Sequence, residues 1–273
     1  MPELPEVETV KETLKQQIVG KTIADVTVIY GKLIKNQDAE SFKQALIGKT
    51  LRNIGRYGKY LFFHFAGVVL IVHLRMEGKF FLKPFSEPYQ KHEHIIFSFT
   101  DQSTLRYHDV RKFGTMEIVP EGTEMEVEGI KKLGKEPFGS DFTDSYIYDK
   151  IYKSTRPIKS LLLDQEIVAG LGNIYVDEVL FLSGLDPRRP GKDVSRIEAG
   201  MIAKNCRKVL EKAINLGGTT IRSYTSSLGV SGRFQNELNV HTRKGLPCLK
   251  CGNSIEKTRV GGRGTYYCPS CQK

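Results

Sequence analysis

Apolar residues recur at Val7, Val10, Leu14 and Ile18, a spacing of three and four that sets them on one face of a helix. Pro5 suits a first helical turn, Glu6 and Glu8 suit the positive end of the helix dipole, and Gly20 is a natural stop. The spacing predicts a helix over residues 5–18 with a short segment ahead of it. From about residue 22 to 119 the period shortens. Residues 22–30, 59–65, 68–74, 79–83, 94–99 and 116–119 are β-branched or aromatic runs, punctuated by Ala66-Gly67, Glu77-Gly78, Pro84 and Asp101-Gln102. Many short strands without intervening helices read as an antiparallel sandwich or barrel.

Beyond about residue 127 the helical period returns, with candidates at 146–152, 157–163, 173–182 and 195–216. Residues 120–140, with Gly and Pro among charges, read as a linker. Residues 217–240, rich in Gly, Ser and Thr, read as a mobile loop leading to short strands, and 245–273 hold a cysteine cluster. The fold class is α+β and multidomain. No apolar run reaches 18 residues, so no membrane span is expected. The first ten residues lack the basic region and apolar core of a signal peptide, which makes the cytoplasm the expected compartment.

Charge sharpens the picture. Lys plus Arg is 41 against 31 Asp plus Glu, a formal net charge of +10. That excludes an acidic solvating chain and makes a polyanionic partner plausible.

Four of the five cysteines form Cys248-x2-Cys251 and Cys268-x2-Cys271, separated by sixteen residues. Two such knuckles supply the four thiolates of a tetrahedral zinc ribbon, and no open coordination position is evident, so the Zn2+ is read as structural. Cys206 stands apart in a helical stretch and reads as a small buried side chain. Between the knuckles, Arg263 is flanked by glycines at the tip of the stapled hairpin. It reads either as a guanidinium fork for phosphate or as a solvated turn.

The opening Met1-Pro2-Glu3 also carries chemistry. Once the initiator Met is removed, Pro2 presents a secondary amine with an unperturbed pKa of about 8. Such an amine attacks an electrophilic carbon; with a sugar C1′ it forms an iminium, and Glu3 and Glu6 are close enough to serve as proton donor or acceptor. The plainer alternative is an acidic segment leading a helix. Gly170-Leu171-Gly172-Asn173 precedes an apolar helix with Asn173 as natural N-cap. It is either a phosphate-attracting helix start or a helix–helix turn. Met76, Arg111 and Phe113 offer apolar wedges and an arginine of the kind a base-flipping enzyme inserts, unless Met76 and Phe113 belong to the core.

Taken in order, Pro2-Glu3-Leu4-Pro5-Glu6-Val7-Glu8, Gly170-Leu171-Gly172-Asn173-Ile174-Tyr175, Phe234-Gln235, Gly262-Arg263-Gly264-Thr265 and Cys268-Pro269-x-Cys271-Gln272 resemble bacterial formamidopyrimidine-DNA glycosylases from end to end. The resemblance implies an N-terminal β-sandwich with a leading helix (residues 1–125), a helix-two-turns-helix domain (126–235) and a zinc finger (236–273), with DNA in the cleft between lobes. It implies an enzyme that excises oxidised purines opposite cytosine from duplex DNA; a monomer is expected separately, since no heptad or exposed apolar stripe argues for an oligomer. The resemblance then implies strand cleavage by β,δ-elimination, with the enzyme associated with the nucleoid through DNA. Pro2 is then the nucleophile and Glu3 the acid. Lys59 contacts phosphate near the lesion. His73, Asn173 and Arg263 form a phosphate clamp, with Arg263 also assisting elimination. Met76, Arg111 and Phe113 intercalate, Arg111 reading the cytosine. Glu6 with Thr219, Thr220, Ile221, Arg222, Ser223 and Tyr224 would bind the lesion. Three positions depart from the family's pattern: His241 where Tyr is usual, Thr242 where Gly is usual, and Ser223 where Asp is common.

Two other readings compete. An endonuclease VIII-type enzyme for oxidised pyrimidines shares the nucleophile, but Leu4 and the Arg111/Phe113 pairing favour the purine enzyme. A zinc-ribbon DNA-binding protein without catalysis accounts for charge, zinc and Asn173 but leaves Pro2-Glu3 unexplained.

Overall fold

A computed structural model describes residues 2–219 and 232–273. The chain divides into two compact units, one of Met1–Lys131 with Gly217–Gly232, the other of Lys132–Leu216 with Arg233–Lys273.

The first unit opens with helix α1 (Leu4–Ile18). Its stripe of Val7, Val10, Leu14 and Ile18 is buried, as the period requires. Two four-stranded antiparallel sheets follow. One has the order β1 (Ile23–Val28), β6 (Glu93–Phe99), β7 (Ser103–His108), β5 (Lys79–Pro84). The other has β2 (Asn53–Tyr57), β3 (Tyr60–His64), β4 (Val68–His73), β8 (Thr115–Pro120). Alternate residues of both sheets share one core with α1: Leu61 and Phe63, Leu70 and Val72, Ile95 and Phe97, Leu105 and Tyr107. The period-two pattern therefore specifies a sandwich.

The expectation of strands without helices between them is corrected by α2 (Ala39–Leu46). Asp38 caps it by accepting the Ser41 amide at 2.8 Å, and Phe42 and Leu46, four apart, are buried. Strands β2 and β7 were also not in the sequence reading; Gly55 and Arg56 in β2 and Arg106 in β7 interrupt the apolar signal. Arg106 is nevertheless fully buried, because Glu93 and the carbonyls of Pro84, Glu87 and Pro88 satisfy its guanidinium. The stretch read as linker contains a short helix, α3 (Glu128–Lys131).

In the second unit, α4 (Asp144–Ile151) and α6 (Asn173–Ser183) pack on α7 (Arg196–Asn215), with α5 (Ile158–Leu162) against α6. Cys206 is fully buried on α7, and burial pushes its thiol pKa up to about 12, which keeps it inert. The hairpin of β9 (Glu256–Val260) and β10 (Arg263–Tyr267) closes the chain. Gly261 and Gly262 both have positive φ, the requirement of a two-residue hairpin turn. Among the described residues no helix is long and apolar enough to cross a membrane.

Candidate active site and DNA interface

In the first unit, strand register gathers three loops at one end of the sandwich. Tyr60 pairs with His73, and His73 with Thr115. Lys79 pairs with His108, and His108 with Glu93. The β2–β3 turn carrying Lys59, the β4–β5 loop carrying Met76 and the β7–β8 loop carrying Arg111 and Phe113 therefore leave from the same end. Arg56 ties α1 to that end, donating to Glu8 Oε2 at 2.7 Å and to the Gly58 carbonyl at 3.0 Å.

Pro2, Glu3 and Glu6 are buried at the head of α1. Glu6 binds in two directions. Its Oε2 accepts the Glu3 amide at 2.9 Å, and its Oε1 accepts the Thr219 amide at 2.7 Å and the Thr219 hydroxyl at 3.0 Å. One carboxylate thus fixes the residue after Pro2 and the start of the segment expected to bind the lesion. Gly218 is required for this approach, since a Cβ there would lie 2.7 Å from Glu6 Oε1. Thr220, Ile221, Arg222, Ser223 and Tyr224 lie outside the described residues.

Lys59 and His73 are both buried. His73 Nδ1 accepts the Arg75 amide at 3.0 Å, so the ring proton sits on Nε2. Burial, then the charges of Arg75 and Lys59, lower the His73 pKa to about 3. The imidazole is therefore a neutral donor throughout the physiological range. Because the folded value lies below the unfolded one, this group's stability contribution is complete above about pH 6.5 and is lost as pH falls toward 3. His73→Gln is expected to flatten the acid limb of the stability curve, whose slope from one such group reaches at most about 1.4 kcal/mol per pH unit. Denaturant midpoints between pH 4 and 7 with an unchanged slope in the variant would reject this assignment.

The β7–β8 loop is built on Asp109, a residue the sequence reading passed over. Its fully buried carboxylate accepts the amides of Arg111, Phe113 and Gly114 at 3.0, 2.9 and 2.8 Å. An Asp two residues before a loop arginine is a readable turn signal. Phe113 is 52% exposed and Met76 37%, which rejects the core alternative for both. The Arg111 guanidinium lies 4.8 Å from the Phe113 ring centroid, so the two are presented together.

In the second unit, Asn173 and Arg263 meet through the hairpin backbone. Asn173 is not the N-cap expected from sequence; Gly172 takes that place and Asn173 is the first residue of α6. Its Nδ2 donates to the Gly264 carbonyl at 3.0 Å, while its buried Oδ1 has no partner among the described residues. Lys159 Nζ reaches the same carbonyl at 2.9 Å and Asp177 Oδ1 at 2.7 Å. Asp177 Oδ2 accepts the Tyr266 amide at 3.2 Å and bonds His241 Nδ1 at 2.8 Å. Next to it, Glu178 accepts the amides of Asn239, Val240 and His241 and the Asn239 side chain. Lys159, Asp177 and Glu178 were not in the sequence reading; two adjacent acids inside an apolar helix were the available signal. Arg263 is exposed at the first position of β10.

His241 and Thr242 form the centre of a turn closed by the Arg243 amide on the Val240 carbonyl at 3.0 Å. Thr242 has φ +64°, in the third position of a type II-like turn, where glycine is favoured and a β-branched residue is strained. Thr242→Gly is expected to stabilise the protein by about 1 kcal/mol. A lowered denaturation midpoint in the variant would contradict the strain.

The Sγ atoms of Cys248, Cys251, Cys268 and Cys271 lie within 4.8 Å of one another. Cys248 and Cys271 are 3.9 Å apart, and Cys251 and Cys268 3.5 Å. Four Zn–S bonds of about 2.3 Å in a tetrahedron separate the sulfurs by about 3.8 Å, so the cluster fits one structural Zn2+. Cys248, buried but facing the Lys250 and Cys251 amides, falls to about 7, while burial raises Cys268 and Cys271. Four thiolates this close need a cation to ionise together.

Family models match the chain in three blocks. Residues 1–116 match the formamidopyrimidine-DNA glycosylase N-terminal domain, 133–225 its H2TH domain, and 245–273 the zinc finger found in FPG and IleRS. A β-sheet domain, H2TH module and zinc finger in this order define a DNA glycosylase of base excision repair. The formamidopyrimidine-DNA glycosylase of Bacillus cereus (strain ZK / E33L) is 50% identical over 273 residues, covering 100% of this chain and 99% of the relative. That of Bacillus licheniformis is 49% identical over 274 residues, covering 100% of both. The Lactococcus lactis enzyme bound to abasic-site DNA superposes with a TM-score of 0.93 at 43% identity over 99% of each chain. Its complex with oxidised-pyrimidine DNA gives 0.92 at 42% over 100% of each. The chain belongs to the formamidopyrimidine-DNA glycosylase family, whose members combine glycosylase and AP-lyase activity.

Proposed function

We propose that this enzyme excises oxidised purines, 8-oxoguanine and ring-opened formamidopyrimidines, from duplex DNA opposite cytosine. It acts as a monomer in the cytoplasm, on nucleoid DNA. The observation that carries the reading is the buried Pro2-Glu3 head of α1, held to Thr219 through Glu6. The Pro2 amine, freed of Met1, attacks C1′; the N-glycosidic bond breaks and its electron pair leaves with the base. Glu3 protonates the sugar ring oxygen as the ring opens to an iminium. Loss of a C2′ proton then expels the 3′ phosphate, and loss of a C4′ proton in a second elimination, assisted by Arg263, expels the 5′ phosphate. Lys59, His73, Asn173 and Arg263 hold backbone phosphates, His73 through its constant Nε2–H donor. Met76 and Phe113 fill the vacated stack and Arg111 reads the orphaned cytosine.

Borohydride trapping on 8-oxoguanine:cytosine, formamidopyrimidine:cytosine and oxidised-pyrimidine duplexes, with mass mapping of the adduct, tests the lesion class. The pyrimidine arm matters because the Lactococcus lactis relative has been crystallised with such DNA. Adducts on Pro2 that form fastest with the purine lesions support the reading; faster trapping on the pyrimidine lesion overturns it. Arg111→Ala is expected to cost about 1–3 kcal/mol of discrimination for cytosine over other opposite bases. An unchanged opposite-base ratio would remove Arg111 from that role.

A further inference from the structure

We propose that Tyr107 is a positioning residue for opposite-base recognition: its buried hydroxyl is a spacer that locks the Met76 loop to the Arg111/Phe113 loop, so that wedges and reading arginine enter the base stack in one fixed register. The inference rests on the reading that these three residues intercalate.

The two loops are neighbours at both ends. One joins β4 to β5 and the other β7 to β8, so each passes from one sheet to the other. Their ends pair across, His73 of β4 with Thr115 of β8 and Lys79 of β5 with His108 of β7. Tyr107 stands one residue before His108 and is fully buried. Its backbone lies between Phe80 of β5 and Ile95 of β6, and its ring meets the Phe80 ring edge-on at 5.3 Å. Close packing on these sides leaves the ring no second place in the core.

The hydroxyl at the tip of that ring reaches both loops. A Cβ on Gly78 would lie 2.2 Å from Tyr107 Oη, and one on Gly114 1.6 Å. Only glycine at both positions leaves room for the oxygen. Neither glycine has positive φ, so space rather than backbone conformation calls for it. Gly78 closes the Met76 turn, its amide donating to the Leu74 carbonyl at 3.0 Å. Gly114 closes the other loop, its amide donating to Asp109 Oδ2 at 2.8 Å beside that of Phe113 at 2.9 Å. The Tyr107 hydroxyl lies 3.5 Å from the same carboxylate oxygen. The exposed tips stand just ahead of these glycines, Met76 two residues before Gly78 and Phe113 directly before Gly114. One buried oxygen packed against both closures therefore sets the spacing of the tips. Without it a gap opens between the two turns, and each can shift on its own. Reading a base edge tolerates little such shift, because hydrogen bonds weaken steeply as their angle opens. Attack at C1′ does not depend on the spacing where there is no stack to fill.

The test is Tyr107→Phe, which keeps the ring and removes the oxygen. Single-turnover excision of 8-oxoguanine opposite cytosine and opposite adenine is expected to show the cytosine preference reduced roughly fivefold or more. The fluorescence change of a 2-aminopurine beside the lesion, which reports filling of the stack, is expected to shrink. Borohydride trapping on an abasic single strand, which has no opposite base and no stack to fill, is expected to stay within about twofold of wild type. An unchanged preference with unchanged fluorescence overturns the proposal. So does a loss of single-strand trapping as large as the loss of preference, since that marks a general structural role. Arg111→Ala and Phe113→Ala report separately on the intercalation reading. If neither alters the preference or the fluorescence, that reading fails and the inference with it. If both do while Tyr107→Phe does not, only the inference fails.

Discussion

A chain with one extra Gly between Met1 and Pro2, so that the Pro2 nitrogen becomes an amide, is expected to lose borohydride trapping and strand cleavage roughly 10³-fold or more. That factor is about 4 kcal/mol of lost transition-state stabilisation. The reason is electronic before it is steric. An amide nitrogen delocalises its lone pair into the carbonyl and cannot attack C1′, whereas a secondary amine with a pKa near 8 is partly neutral at pH 7 and can. The surrounding structure makes position matter as well. Glu3 is fixed by the hydrogen bond its backbone amide donates to the Glu6 carboxylate, and Glu6 by Thr219, so an inserted residue also displaces the amine from a buried, pre-organised place. Affinity for an undamaged duplex is expected to change far less, because the phosphate contacts proposed for Lys59, His73, Asn173 and Arg263 do not involve the Pro2 nitrogen. Full trapping in the extended chain, or an adduct mapped to a lysine in the processed one, would remove Pro2 from the nucleophile's role.

The parts of this arrangement that sequence reveals are those with a local cause. The α1 stripe, the alternating strands and the Cys-x2-Cys pairs each follow from spacing alone, because helix, pleat and tetrahedral ligation impose fixed periods. Residues acting through long-range hydrogen bonds leave little local trace. Asp109 looks like a turn former, yet it organises three amides of the loop that presents Arg111 and Phe113. Lys159 and Asp177 are eighteen positions apart and meet the hairpin 105 and 89 residues later. Asn173 shows the limit of a correct local rule. Its side-chain oxygen is a good cap in isolation, but the extended backbone at Gly172 shifts the helix start by one residue, and the side chain is instead held by its Nδ2 donating to the Gly264 carbonyl. Helix α2 was missed for a different reason: its cap and its Phe42/Leu46 pair are legible, but a short helix among strands is outweighed by the surrounding β pattern.

Loss of the zinc is expected to have the second-largest effect, and to act through one arginine. Cys248→Ala should reduce bound zinc from about one per chain to nearly none, since a three-thiolate site loses much of the roughly 10–16 kcal/mol that structural zinc supplies to folding. The finger has little else to fold around: beyond the ligand cysteines its buried cluster is Val240, Ile255 and Phe181. The Lys159–Asp177 pair still grips β10 at Gly264 and Tyr266, so the strand retains a tether, but the Gly261-Gly262 turn that aims Arg263 loses its metal staple. DNA affinity is therefore expected to fall roughly tenfold to a hundredfold, and the salt dependence by about one phosphate contact. On the proposed role of Arg263, Arg263→Ala should produce a similar loss, and combining the two changes should add little, because both would remove the same guanidinium from the same phosphate. Additive losses in the double variant would place the zinc's effect elsewhere in the second unit, and wild-type affinity in the zinc-free protein would dismiss the staple altogether.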